Sequence, residues 1–407
     1  MKNNLHHLKD LLVSQNAGEW GSDPIGADAL PILRAGNIAD EGWIDLEDVV
    51  CRTIAEPKRS KILLKSGDIL LEKSGGTDTR PVGRVAYIET NLNAGFSNFL
   101  HCLRPNPLII QPRYLFFVLM YWHSSGRAVA LQTRTTGIRN LMFARYLSEP
   151  IRVPLMVQQI CVSRILELST TSLSKIDRLI AAKREQKRGL MQQLLTGKLR
   201  FPSFTEPWKT VRLGDVADID SELLPASTSP TFAFHYIDLS SVNYGDISAP
   251  DKSIDFATAP SRARRVLRRG DVLLSTVRPL LLGFGLLDLA GGPYIGSTGF
   301  AVIRTEAKGD ARFIFEWLFS SAALRQMHAR TTGSSYPALG SADIHGLYLP
   351  WPPSSEREKI GALFGAMTKE LNLLEQQRAA FAAQRRGLME KLLSGEIDIQ
   401  NPKETAA

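Results

Sequence analysis

A string of twelve residues in the middle of this chain returns near its end. Arg188-Gly-Leu-Met-Gln-Gln-Leu-Leu-Thr-Gly-Lys-Leu199 becomes Arg386-Gly-Leu-Met-Glu-Lys-Leu-Leu-Ser-Gly-Glu-Ile397, displaced by 198 positions with every apolar position kept. Three shorter strings repeat in the same order. Leu64-Lys-Ser-Gly-Asp-Ile-Leu-Leu71 matches Leu267-Arg-Arg-Gly-Asp-Val-Leu-Leu274, Arg134-Thr-Thr-Gly137 matches Arg330-Thr-Thr-Gly333, and Ile151-Arg-Val-Pro154 matches Leu347-Tyr-Leu-Pro350. A period this long means duplicated domains, not a solenoid of small repeats.

Each copy ends in a long helical pattern. Ile360, Met367, Leu374, Phe381 and Leu388 recur every seven residues, with a companion row of Phe364, Leu371, Arg378, Arg385 and Leu392. The first copy superimposes on it: Val162, Ser169, Ile176, Lys183 and Leu190, with Leu166, Leu173, Ile180, Lys187 and Leu194. Such seams predict coiled-coil pairing. Pro154 and Pro353 mark the starts, and Gly197 and Gly395 suit left-handed caps at the ends. A helix of some 40 residues is on the order of 60 Å long and needs a partner helix, most simply its own repeat. Lys183, Lys187, Arg378 and Arg385 interrupt the rows; they either set register or face a partner subunit or DNA. The expected organisation is a first domain at 1–155, a first helix at 156–200, a second domain at 201–353, a second helix at 354–398 and a tail at 399–407.

Gly67-Asp68 and Gly270-Asp271 read as turns into buried strands, and Arg113–Met120 and Arg312–Phe319 as corresponding apolar helices. Each domain is therefore expected to be α+β. Composition agrees with a globular protein: 44% hydrophobic and 22% charged residues exclude wholesale disorder. No apolar run is long enough to span a membrane, and Met1–Leu12 lacks the apolar core of a secretory signal, so the cytoplasm is the expected compartment. Cys51, Cys102 and Cys161 show neither metal nor disulfide spacing and read as buried thiols.

Catalytic patterns are missing. There is neither an Asn-Pro-Pro-Tyr string nor a convincing cofactor-binding glycine motif; Gly283-Phe-Gly285 reads as strand and turn. Glu185-Gln-Lys187 has a nuclease-like spacing but falls on the predicted helix, as one solvated face. Thr196-Gly-Lys198 lacks the remainder of a phosphate-binding loop.

Binding chemistry remains. The formal net charge of +8 is concentrated in 156–200, where nine Lys and Arg face three acidic residues. Arg262, Arg264, Arg265, Arg268 and Arg269 crowd one stretch, and Lys58, Arg59, Lys61 and Lys65 stand at the equivalent place in the first copy. Basic clusters at matched sites fit phosphate contacts that set register on a duplex, and fit a solvated loop equally. Lys73, Arg80 and Arg84 follow the first Gly-Asp strand and Arg278 the second. Arg134 and Arg139 flank the first Thr-Thr-Gly; Arg330, Ser334, Ser335 and Tyr336 surround the second. Such residues can read base edges or phosphates.

These features together resemble the specificity subunit of a type I restriction-modification enzyme. The resemblance covers nearly the whole chain and includes Trp208-Lys-Thr-Val-Arg-Leu-Gly-Asp-Val216, which opens the second half. His7-Leu-Lys-Asp-Leu11 is only a faint counterpart in the first. The resemblance implies two target-recognition domains separated by two antiparallel helices in a pseudo-two-fold arrangement, each domain reading one half of a split site in double-stranded DNA. It implies a non-catalytic chain that binds no cofactor itself. Two methyltransferase subunits would bring S-adenosylmethionine and methylate adenine, and two motor-nuclease subunits would bring ATP and Mg. Ile138-Arg-Asn-Leu-Met142 aligns with Ser334-Ser-Tyr-Pro-Ala338, so the two halves of the site are expected to differ. A spacer of about 60 Å bounds their separation at roughly 17 base pairs. The competing readings are a self-contained DNA-modifying enzyme with divergent motifs and a coiled-coil adaptor without a nucleic-acid role.

Overall fold

The computed structural model describes residues 5–24, 29–135, 137–248, 250–333 and 337–399. It is a mixed helix and sheet protein that divides into two compact units, Met1–Asp177 with Gln377–Ala407, and Arg178–Gln376. Each unit thus takes part of both long helices, Met156–Leu194 and Ser354–Ser394.

In the first unit, an antiparallel sheet has the order Leu12–Ala17, Leu100–Pro105, Ile69–Glu72, Val85–Tyr87. A second sheet places Leu30–Leu33 between Val50–Arg52, antiparallel to it, and Gly95–Phe96, parallel to it. Leu5–His7 pairs with Pro150–Arg152 and closes the unit. Helix Pro112–Ser124 buries Leu115, Phe116, Phe117 and Leu119 in the main core.

The second unit follows the same succession. Its antiparallel sheet has the order Asp218–Ile219, Phe300–Arg304, Val272–Ser275, Phe284–Leu286. In its other sheet Ala233–Ile237 runs antiparallel to Ile254–Asp255 and parallel to Tyr294–Ser297, with Ala263–Leu267 at the far edge. Lys209–Arg212 closes against Tyr348–Trp351, and helix Lys308–Leu318 packs in the core.

The repeated Gly-Asp string explains itself here. Gly67 and Gly270 lie at φ 89° and 99°, a left-handed conformation that a side chain disfavours. The next carboxylate closes the turn: Asp68 accepts the Lys65 amide at 2.8 Å, and Asp271 the Arg268 amide at 2.7 Å. Asp68 also takes a two-bond fork from Arg104, at 2.7 Å each, and Asp271 one from Arg304, at 2.8 and 2.7 Å. Both carboxylates are buried, so these arginines are their countercharges.

Both helices end where the glycines suggested, with Gly197 and Gly395 left-handed at φ 71° and 80°. Of the seam residues, Ile180 and Leu194 are buried, while Ile176, Leu190, Met367, Leu374, Phe381 and Leu388 are half-buried. In the first unit Val162 and Leu166 share a core with Met389, Leu392 and Leu393. In the second, Leu194 and Leu195 share one with Ile360 and Phe364. Within each unit the two segments run in opposite directions, since partners later on one helix lie earlier on the other.

The polar interruptions have intramolecular contacts. Arg378 donates to Asp177 at 2.9 Å, Lys183 lies 2.8 Å from Glu370, and Lys187 lies 2.9 Å from the fully buried Glu316. Arg385 reaches the Met120 Sδ at 3.5 Å, and burial lowers its pKa. Of the three thiols only Cys102 is buried; Cys161 is half-buried, and Cys51 is exposed because side chains alternate along Val50–Arg52 and Cys51 takes the outer face. Among the described residues no helix is long and apolar enough to cross a membrane.

Candidate nucleic-acid interface

In the first unit the chain leaves the Gly-Asp strand at Glu72 and enters a second ladder. Ser74–Gly76 pairs with Ile138–Leu141, which forms a hairpin with Gln132–Thr135. This brings distant parts of the sequence together, with Arg139 opposite Gly76 on one side and opposite Arg134 on the other. Arg139 donates to Asp78 at 2.9 and 3.1 Å, and Arg134 lies 3.5 Å from the same carboxylate. Arg80 is exposed at the end of that Asp78 loop, its amide held by the Thr77 hydroxyl at 3.1 Å. Lys73 is half-buried at the loop's root, where its carbonyl accepts the Leu141 amide at 2.8 Å. Lys73, Arg80, Arg134 and Arg139 therefore belong to one hairpin-and-loop surface.

The second unit builds the corresponding place from residues 277–283, 331–333 and 337–339. The Arg278 amide donates to Pro337 O at 2.7 Å, and the Leu339 amide to Thr276 O at 2.9 Å. Arg278 is exposed and borders two adjoining clefts of about 390 and 400 Å³. Arg330 sits behind this surface. It donates to the carbonyls of Gln326 and Gly346, at 3.2 and 3.3 Å, and so ties a helix end to the following turn. Ser334 and Tyr336 lie outside the described residues.

The structure removes one expected contact from reach. Arg84 is buried, forks onto Glu72 at 2.8 and 3.1 Å, and donates to the carbonyls of Ile38 and Ala35. It pins a loop to the core and is not offered to a ligand. The arginine-rich stretch is largely a strand with internal partners. Arg265 pairs with Asp220 and Arg268 with Glu222, each at 2.8 Å, and Arg269 with Asp288 at 2.6 Å. The hydrogen bond from Arg268 holds the Glu222 carboxyl below its usual range. Arg264 lies 4.7 Å over the Phe256 ring. Arg262 is exposed beside them. In the first unit Lys58 pairs with Glu19 at 3.0 Å, Arg59 approaches Glu56 at 3.9 Å, and Lys61 is exposed. A run of cations in sequence thus becomes alternating charge in space.

Two further repeats in the sequence point to these residues. Arg80-Pro81 and Arg278-Pro279 stand 198 residues apart, the same displacement as the helix ends. Arg104 and Arg304, the partners of the Gly-Asp turns, are 200 apart and each closes a mainly apolar run. Aligning the copies outward from the strong strings reaches both.

Residues 205–380 match a family model described as the type I restriction modification DNA specificity domain. The chain is 22% identical to the type I restriction enzyme MjaVIII specificity subunit of Methanocaldococcus jannaschii, over 88% of this chain and 85% of that protein. It is also 22% identical to the putative MjaX specificity subunit of the same organism, over 97% and 94% of the two chains. Among solved structures it resembles the S subunit of a type I restriction-modification system from M. genitalium, with a TM-score of 0.58, 16% identity and 98% of each chain covered. A chain from a study of assembly and conformational transition of the type I system aligns with a TM-score of 0.56, at 18% identity over 96% of this chain and 97% of that one.

Proposed function

We propose, from the premise that residues 205–380 form a type I restriction-modification DNA specificity domain, that this chain is the sequence-reading subunit of such a complex. Each unit reads one half of a bipartite site. The observation that carries the reading is the pairing of like with unlike. The two units repeat one succession of strands, while the loops beyond the Gly-Asp strands differ in length, charge and contacts. A repeated framework with unlike tips suits an asymmetric target with two different half-sequences. In this reading the long helices form an antiparallel spacer that sets the unread gap and docks two methyltransferase subunits. Those subunits supply S-adenosylmethionine and methylate adenine. Two motor-nuclease subunits, driven by ATP with Mg, cleave unmodified DNA, and this chain itself catalyses nothing.

Single-base methylation mapping tests the reading. Genomic DNA from cells expressing this chain with its methyltransferase subunit is expected to carry a split adenine-methylated motif, lost when this chain alone is withdrawn. No difference, with both proteins soluble and associated, overturns it. Lengthening both helices by one heptad should widen the gap and leave both half-sequences unchanged; an altered half-sequence with an unchanged gap defeats the spacer model. Binding to duplex DNA should weaken steeply with salt, which an adaptor without a nucleic-acid role would not show.

A further inference from the structure

The loop Arg278-Pro-Leu-Leu-Leu282 has the build of a tool. Leu280 and Leu281 are 46% and 70% exposed, and nearby Tyr244 is 69% exposed. The loop is nonetheless firmly held. Pro279 is buried, the Leu281 amide donates to Arg278 O at 2.9 Å, and the Leu282 amide to Pro279 O at 3.0 Å. The Tyr244 amide donates to Leu282 O at 3.1 Å. Among the described residues only four besides glycine adopt positive φ, and Tyr244, Arg278 and Leu282 are three of them. Left-handed backbone is sterically disfavoured for such side chains and persists where the surroundings enforce it. Here it is concentrated where two leucines are held out into solvent.

The other copy shows what is special. By strand register Gly83, at φ 102°, occupies the place of Leu282, and Arg80-Pro81 that of Arg278-Pro279. Between them the first unit has one residue, the fully buried Val82; the second has two, Leu280 and Leu281. One inserted residue turns a core contact into an apolar tip. Its flanks suit a polyanion. Arg278 borders both clefts, whose described lining residues include Ser240, Asn243, Ser275 and Thr331 but no Asp or Glu.

We propose that this loop is a DNA wedge of the second unit. Leu281 enters a base step in the half-site that unit reads, Arg278 holds the flanking phosphate, and the step is selected for how readily it unstacks. The proposal rests on the reading of the chain as a DNA specificity subunit and adds that its two halves recognise DNA differently, with an apolar insertion in one only.

The test uses the full chain and a duplex pool of random sequence. Wild type is expected to enrich a split consensus. Leu281→Asn should lose discrimination on the order of 10-fold at one step of one half, with the other half unchanged, and Leu281→Met should retain it. With 2-aminopurine at that step, binding should raise fluorescence for wild type and Leu281→Met but not for Leu281→Asn. Unchanged consensus and fluorescence with Leu281→Asn overturn the wedge. So does equal weakening of both halves, or intact base preference with lost binding to another protein, which would make the loop a protein-docking tip. A wild-type chain that enriches no sequence overturns the DNA reading itself.

Discussion

The two units share their backbone chemistry and differ in how they handle charge. Both close the turn before the central strand with Gly-Asp and neutralise the aspartate with an arginine from the neighbouring strand. Elsewhere they diverge. Glu72 and Arg84 form a buried pair where the second unit has Ser275 and Gly283. Lys187 meets buried Glu316, whereas its counterpart Arg385 meets a helix with Phe117 in the aligned position. Gln158 bonds Asp398 where Glu356 bonds Arg200, at the same two positions of each copy. What repeats is what the chain path requires. What differs is each interior's own arrangement of charge, along with the surface tips.

The largest effects should come from the shared feature. Arg104→Met and Arg304→Met each leave a buried carboxylate unpaired, which costs about 3 to 5 kcal/mol. Urea unfolding should show a similar loss for both, somewhat larger for Arg304, which also bonds Glu222 at 2.9 Å. A full loss for one and less than about 1 kcal/mol for the other would mean that the repeated turn is not one framework used twice.

The next effect comes from a difference. Lys187→Met should cost about 3 kcal/mol, because it takes the ammonium from a fully buried carboxylate and leaves Glu316 with only the Arg312 guanidinium, 3.8 Å away. Adding Glu316→Phe, the residue the first unit carries there, should restore most of that loss. A double-mutant cycle with no coupling between the two positions would show that the pair does not hold this helix to its unit.

Which parts of this were legible in sequence follows from range. The Gly-Asp turns and the helix periodicity are local requirements, written where they act, and they read correctly. The faint opening His7-Leu-Lys-Asp-Leu11 hides a full structural counterpart. Leu8 is fully buried and its amide donates to Glu149 O, as the Leu213 amide does to Leu347 O, yet little but the leucine and an aspartate survives of the second copy's pattern. The partners of charged residues were not legible, because sequence displays the charge and hides the countercharge. Arg84 looked like a ligand contact for that reason, and the ion pairs of Arg265 and Arg268 were equally hidden, because Glu72, Asp220 and Glu222 lie in other strings. The candidate surface was half legible: its loops could be named from the repeats, but the Arg134–Arg139 hairpin and the exposed leucines required the fold.

The smallest effect separates the units by pH. His101 lies on the strand beside Leu71, where the second unit has Ala301 beside Leu274. It is buried, its ring centroid 4.0 Å from that of Phe143. Burial, reinforced by the charge of Lys73, lowers its pKa from 6.5 to about 4. The folded first unit therefore holds His101 neutral in a range where the unfolded chain takes up a proton. Stability is unaffected by this group above pH 6.5, declines as pH falls from 6.5 towards 4, and levels off below that. His101→Ala, which gives the first unit the residue of the second, should flatten this part of the profile. Melting temperatures of both proteins at about pH 7.5 and about pH 5 read the difference, and wild type should fall further on acidification. Equal falls would mean that the imidazole is protonated in place, with Lys73 moved away from it, and that this contrast between the two units is one of packing and not of charge.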